Sequence, residues 1–468
     1  MASPKTHGRN ISPTLWAAPA LLLAAGWLLH SAPSRAAPIA AQTLRCTAIA
    51  LLTLLAFRRR SLTAWIFVSM AVGIEIGADA PRFAVSLRIL SDIFLRLIKT
   101  IVGPLILGTL ISGIAGHGDL KSVGRMAWKS LLYFEVVTTL ALVIGLVAIN
   151  LTHAGVGLHL SPVAHADPAP PAAPPLHWQD FVLHVFPENL AKSLVEGQIL
   201  QVSVFAVFFG IALATLGPRG APMLQLAESL SEAMFRFTDI VMYFAPVAVG
   251  AALAYTVGQS GVGVLINLGK LVATYYAALL ALVLLVMVPA LALFRLPVRG
   301  FFRAVLEPAS IAFATSASEA ALPRAMEAME LFGVPRKVVA FVIPAGYSFN
   351  MDGAAVYLTL ASVFVAQAAG MRLGPAEQIT TVFILMLASK GVSGVPRATL
   401  MVLMATASSL RLPPEPIFII LGIDAVMDMG RTAANVVGNC LASAIVARWE
   451  GVFRTEIPSK AVLEAATD

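Results

Sequence analysis

Charge is scarce in this chain: Asp, Glu, Lys and Arg make up 12% of its 468 residues, while 58% are hydrophobic and the mean hydropathy is +0.85. Soluble domains carry about twice that charge, so a soluble globular fold is excluded. Cysteine is nearly missing. Cys46 and Cys440 both fall in apolar segments, which rules out a disulfide framework and a cysteine metal site. Neither a Gly-rich nucleotide loop nor a nucleophile–base constellation occurs, and an enzyme is not indicated. The formal charge of +7 comes from 32 Lys and Arg against 25 Asp and Glu. On so apolar a chain it reports loop placement, and no nucleic-acid partner is implied.

What is present is a series of apolar runs, near 62–80, 88–116, 126–152, 194–217, 224–258, 264–294, 338–369 and 415–447. Each approaches or exceeds the ~20 residues that span a bilayer, giving eight candidate crossings. Basic clusters recur at every second connection, at Arg58–Arg60, Lys121–Lys129, Arg219, Arg295–Arg303, Arg324–Lys337 and Arg448–Lys460. By the positive-inside rule both ends of the eight-span core are cytoplasmic, in a cell (inner) membrane. The longest connection, 153–191, holds no Lys or Arg and contains the Pro/Ala run Pro168–Pro175, which reads as a flexible extracytoplasmic loop. Its histidines, among them His159, His165 and His177, match no metal-ligand spacing. At the N-terminus, 14–30 and 39–57 are apolar but short, and either an extra hydrophobic hairpin or a cleaved leader fits them.

Two segments interrupt the pattern of simple spans. One contains Thr315, Ser316, Ser318, Glu319 and Pro323 between basic flanks, and the other contains Ser389-Lys390-Gly391-Val392-Ser393-Gly394-Val395-Pro396 between outward-facing flanks. Each reads as a re-entrant helical hairpin, about 301–330 and 374–411. Unwound backbone at membrane depth is tolerated only where it is buried in protein or lines a cavity. Hairpins entering from opposite faces are a mark of transporters with inverted repeats and broken helices.

The chemistry concentrates in two further places. Asp424, Asp428, Arg431, Asn435 and Asn439 stand at offsets 0, 4, 7, 11 and 15 in an apolar run. At about 100° per residue they form one stripe roughly 80° wide on a helix. Ionisable groups on a spanning helix are costly and mark a substrate or ion path, the alternative being an Asp428–Arg431 salt bridge that joins two helices. Within 338–369, Gly346-Tyr347-Ser348-Phe349-Asn350-Met351-Asp352-Gly353 favours a local unwinding. Freed carbonyls beside a carboxylate suit a hard cation such as Na⁺.

These motifs together carry a resemblance. Asp92–Lys99, the tip Thr315–Pro323, Asn350-Met351-Asp352-Gly353, the tip Gly391–Pro396 and Asp424–Asn439 occur in order over 61–452 and resemble the dicarboxylate/amino acid:cation symporter family, with the glutamate transporter fold. The resemblance implies an all-α membrane protein of eight transmembrane helices plus two re-entrant hairpins, built as an inverted repeat. It implies a homotrimer in the lipid bilayer, with 58–258 mainly trimerisation scaffold plus the third span. Residues 259–452 would then form a mobile transport core, 1–57 an N-terminal extension and 453–468 a cytoplasmic tail.

The resemblance also distributes roles. Asp428 is similar to the acceptor of a substrate amino group, Arg431 to the partner of a side-chain carboxylate, and Asn435 to a donor to the α-carboxylate. Ser318 and the backbone at Gly394 and Val395 are similar to further carboxylate contacts. Gly346, Asn350, Asp352, Asn435, Asn439 and Thr138 resemble cation ligands. No cofactor is implied beyond a coupling cation, Na⁺ or H⁺.

Three departures bear on specificity. Ala354 replaces the threonine that acidic amino acid carriers place after the NMDG, removing a hydrogen bond worth on the order of 1.5 to 3 kcal/mol when the partner is charged. Asn439 replaces an aspartate of sodium-coupled members, so one cation site loses its charge. Ser316 replaces a tip arginine of some members, while Met429 supplies no compensating arginine after Asp428. The tip thus resembles C4-dicarboxylate carriers, and Asp428 resembles amino acid carriers. The expected function is cation-coupled import of glutamate or aspartate, with succinate, fumarate or malate as the alternative.

Overall fold

A computed structural model describes residues 37–59, 62–115, 120–158, 186–196, 199–388, 398–407 and 415–454, with 22, 183, 410, 412 and 413 besides. Among them all regular structure is helical. In chain order the helices are α1 (Ala37–Arg59), α2 (Leu62–Asp79), α3 (Pro81–Ser86), α4 (Arg88–Ala115), α5 (Leu120–Thr152), α6 (Leu190–Val195), α7 (Ile199–Leu216), α8 (Ala221–Met242) and α9 (Ala245–Ser260). Then follow α10 (Val264–Leu282), α11 (Val288–Leu293), α12 (Val298–Thr315), α13 (Ser318–Phe332), α14 (Arg336–Phe349), α15 (Asp352–Ala368), α16 (Pro375–Ala388), α17 (Ala398–Ala407) and α18 (Glu415–Trp449).

Among the described residues, six helical runs are long and apolar enough to cross a membrane: Ala40–Arg58, Leu62–Asp79, Trp128–Thr152, Val204–Met242, Val264–Leu293 and Arg336–Ala368. Two expected crossings are helices of ample length, 28 residues for α4 and 35 for α18. In α18 the apolar run is interrupted by the polar stripe, with Asp424, Asp428 and Arg431 inside it. The apolar run 224–258 is not one helix. It breaks at Tyr243 and Phe244 because Pro246 lacks the N–H a continuous helix needs and starts α9 instead. The five-residue π segment Val283–Met287 precedes Pro289 for the same reason.

The chain forms two compact units, one comprising residues 1–94 and 242–262 and the other 95–241 and 263–468. In the first, α2 packs along α9 and α1 packs on α2. Close packing of small residues is how apolar helices associate without a hydrophobic drive, and Gly73 of α2 lies directly against Gly250 of α9. The α1–α2 contact carries an ion pair, Arg45 Nε to Glu75 Oε2 at 3.1 Å, with the Arg45 side chain 3% exposed.

Arg45→Leu is accordingly expected to cost about 3 kcal/mol, since removing one member strands the other in apolar surroundings. A lowered melting temperature of the full chain that Arg45→Leu/Glu75→Leu restores checks this. An unchanged melt in the single variant would show that the pair contributes nothing.

In the second unit α15 is the central element: all of its 17 residues except Gln367 are buried, as expected of a helix apolar on every side. Around it pack α5, α10, α16, α17 and α18. α12 and α13 form a helical pair joined through Ser316 in the left-handed conformation (φ 53°), and both lie on α18. α16 and α17 are the described arms of the second expected hairpin, whose tip, including Gly394 and Val395, lies outside the described residues. The five polar stripe residues of α18 therefore face neighbours within one unit.

Candidate functional site

The stripe is buried throughout: Asp424, Asp428, Arg431, Asn435 and Asn439 are each at most 4% exposed. The Arg431 guanidinium donates from Nε to Asp428 Oδ1 (3.0 Å) and from Nη2 to the same oxygen, and Nη1 lies 3.5 Å from Asp424 Oδ1. Its plane sits 4.7 Å from the Tyr357 ring centre, a cation–π contact from α15. All three charged groups belong to α18, so this salt bridge does not join two helices. Asp424 is a second anion for Arg431 and lies within electrostatic reach of the Tyr357 hydroxyl.

The break between α14 and α15 falls at Asn350 and Met351. Helix α15 begins at Asp352 with no cap from its own flank, leaving backbone donors that need acceptors. Asn435 supplies one from across the interface. Its Oδ1 accepts from Gly353 N (2.8 Å) and Ala354 N (3.3 Å), which leaves the Nδ2 amide as its donor toward a ligand. Asn439 Oδ1 accepts from Asn350 Nδ2 at 3.0 Å, and the same Nδ2 lies 3.4 Å from Asp352 Oδ2. Two glycines make these approaches possible. A Cβ at Gly346 would collide with Asn439 Oδ1, and one at Gly438 with Asp352 Oδ2.

The neighbouring oxygens fit a cation. Asn350 Oδ1, Thr138 Oγ1 and Tyr133 OH are buried without a hydrogen-bond partner among the described residues. Thr138 and Tyr133 lie on α5, which packs on α14 and α15, and Tyr133 is electrostatically coupled to Asp352. Buried polar atoms ordinarily find partners, so orphaned oxygens at Asn350 and on α5, which packs on the helix that Asp352 begins, suit a hard cation held by neutral donors. The Gly346 carbonyl accepts from Asn350 N at 2.8 Å and ends α14. No cluster of three or more His, Cys, Asp or Glu placed for a metal exists among the described residues.

Ser318 is 3% exposed at the start of α13, and its carbonyl accepts from the Tyr347 hydroxyl (3.0 Å), which fastens the hairpin tip to α14. The structure thus gathers Asp428, Arg431 and Asn435 on one face of α18, and Asn350, Asp352 and Asn439 in one hydrogen-bonded group, with Asn435 bonded to the backbone just after Asp352. Sequence reasoning gave no role to five tyrosines, Tyr133 among them. Tyr347 and Tyr357 act as above, while Tyr275 and Tyr276 of α10 donate to Gly353 O (3.0 Å) and Val426 O (2.7 Å). Their one signal is a hydroxyl recurring in otherwise apolar helices.

Residues 62–449 match the model of the sodium:dicarboxylate symporter family. Among curated proteins, the chain is 39% identical over 403 residues to the proton/sodium-glutamate symport protein of Bacillus caldotenax, covering 84% of this chain and 96% of that one. It is 41% identical over 399 residues to the C4-dicarboxylate transport protein of Solibacter usitatus (strain Ellin6076), covering 84% and 93%. The similarity spans both the packed helices and the buried polar group, and the chain belongs to the sodium:dicarboxylate symporter family.

Proposed function

We propose that this multi-pass membrane protein is a secondary transporter that imports an acidic amino acid, glutamate or aspartate, together with Na⁺ or H⁺. The observation that carries this reading is the buried Asp428–Arg431 pair, which places one anion and one cation side by side on α18. A zwitterionic substrate with a distal carboxylate can exchange partners with it. The ammonium replaces Arg431 on Asp428, and the freed guanidinium takes the carboxylate bidentately. Asn435 Nδ2 then serves the α-carboxylate, with Ser318 and the backbone at Gly394 and Val395 as the further carboxylate contacts that the resemblance implies. A ligand lacking the amine supplies no cation to take the place of Arg431 beside the buried Asp428, which penalises it.

The cation is held, in this reading, by Asp352 and the oxygens of Asn350, Thr138 and the Gly346 carbonyl, with Asn435 and Asn439 completing the group. The amide at Asn439 supplies an oxygen and no charge. Binding is coupled because Asn435 serves both sites: it orders the start of α15 and faces the substrate. The transport core of 259–452 moves past the scaffold of a homotrimer in the cell inner membrane, an elevator-type alternating access.

A second reading within the family has specific support: relatives named for C4-dicarboxylate transport match at the same level, and the tip Thr315-Ser316-Ala317-Ser318-Glu319 is similar to theirs. Uptake of labelled aspartate and succinate into proteoliposomes, under separately imposed Na⁺ and H⁺ gradients, separates the two. Concentrative aspartate uptake that Asp428→Asn abolishes is the expected result. Succinate uptake without aspartate uptake establishes the dicarboxylate reading, and flux that never concentrates substrate overturns both.

A further inference from the structure

Remote from the polar stripe, the end of α18 and the base of the α12–α13 pair enclose a cavity of about 630 Å³. That lies within the range of small-ligand sites, about 300 to 1,000 Å³. Five arginines from separate stretches of chain converge on it: Arg295 after α11, Arg303 on α12, Arg324 on α13, Arg448 in the last turn of α18, and Arg454 beyond it. Two glutamates also line it, and both are engaged by one arginine: Arg324 lies 2.7 Å from Glu327 and 3.6 Å from Glu307. Arg295, Arg303, Arg448 and Arg454 have no acidic partner among the described residues.

The walls are fixed. Arg454 N donates to Gly333 O (2.9 Å), and Phe453 meets Phe332 edge-on at 5.5 Å, so the segment after α18 is pinned to the end of α13. Phe332 in turn packs on the buried Phe301 of α12. Four of these arginines are exposed and Arg448 is half-buried, yet all five line one concave space together with Phe332 and Phe453. The guanidinium fork matches phosphate oxygens two at a time.

We propose that this cavity binds a phosphoryl-bearing anion, tying the α12–α13 pair to the end of α18. The same chemistry is offered by an anionic lipid headgroup and by a soluble phosphate compound. Trp449, 41% exposed beside Arg448, marks the level at which aromatic residues meet headgroups. The site is independent of the transport reading, since no residue of the polar stripe takes part.

The test uses the purified full chain and two probes. One arm titrates inorganic pyrophosphate into detergent-solubilised protein. The other compares nanodiscs of phosphatidylcholine alone with nanodiscs containing phosphatidic acid, and thermal melting is read in both. The wild type is expected to be stabilised in at least one arm, and Arg448→Gln/Arg454→Gln to lose at least about tenfold in apparent affinity, the loss of one strong guanidinium–phosphate pair. Arg299→Gln/Arg336→Gln removes two exposed cations outside the cavity and retains the response. Should Arg448→Gln/Arg454→Gln melt abnormally without ligand, Arg303→Gln replaces it. Stabilisation by pyrophosphate assigns a soluble ligand, and stabilisation by phosphatidic acid alone assigns a headgroup. No response in either arm, or equal responses in cavity and control variants, overturns the site.

Discussion

Replacing Arg431 with glutamine is expected to lower uptake of an acidic substrate by at least about a hundredfold, a loss of roughly 3 kcal/mol or more. The variant removes the cation that offsets two carboxylates, Asp424 and Asp428, at 0% and 4% exposure, and with it the guanidinium that faces the proposed substrate position. Part of that loss is expected to appear as instability, so Arg431→Lys is the informative companion. Lysine keeps the charge that compensates the two aspartates and preserves the melt, but it lacks both the fork and the planar face stacked on Tyr357. Its uptake is expected to fall while its folding does not. Wild-type transport by the lysine variant would show that charge alone suffices, and concentrative uptake by the glutamine variant would remove Arg431 from the substrate site.

Asp352→Asn is expected to disconnect transport from its driving gradient. Asp352 is buried at 0% exposure, hydrogen-bonded to Asn350 Nδ2 and pressed against Gly438, so the isosteric amide fits the same space. What it removes is the negative charge that the neutral oxygens of Asn350, Asn439 and Thr138 do not provide. Gradient-driven uptake in proteoliposomes is expected to drop at least about tenfold, since a buried cation loses its compensating anion. Exchange of substrate at zero gradient is expected to persist, because Arg431, Asp428 and Asn435 are untouched. Gradient-driven uptake at the wild-type level would place the coupling ion elsewhere.

The legible part of this protein was the part governed by spacing along one chain segment. Five polar residues on a helical period predicted one face, and α18 carries them on it. Asn350-Met351-Asp352-Gly353 predicted an unwound point, and the helix breaks at Asn350 and Met351. Small and polar residues at 315–318 predicted a hairpin tip, and α12 and α13 meet there around Ser316. The run 224–258 looked like one crossing because apolar composition cannot register a missing N–H, which only Pro246 in its helical context reveals.

Family membership also follows from sequence, since the ordered motifs and the match over 62–449 depend on residue identity alone. So does the membrane class, because so apolar a composition is stable only in lipid. The tertiary structure decided which groups meet. Asn435 caps a helix at Gly353, 82 residues earlier, Asn350 and Asn439 pair across 89 residues, and Tyr357 meets Arg431 from another helix. Such contacts follow from how helices pack, and no local period encodes them. The same holds for the arginine cavity, whose members scatter from 295 to 454 and share a space only because α18 ends beside the base of α12 and α13.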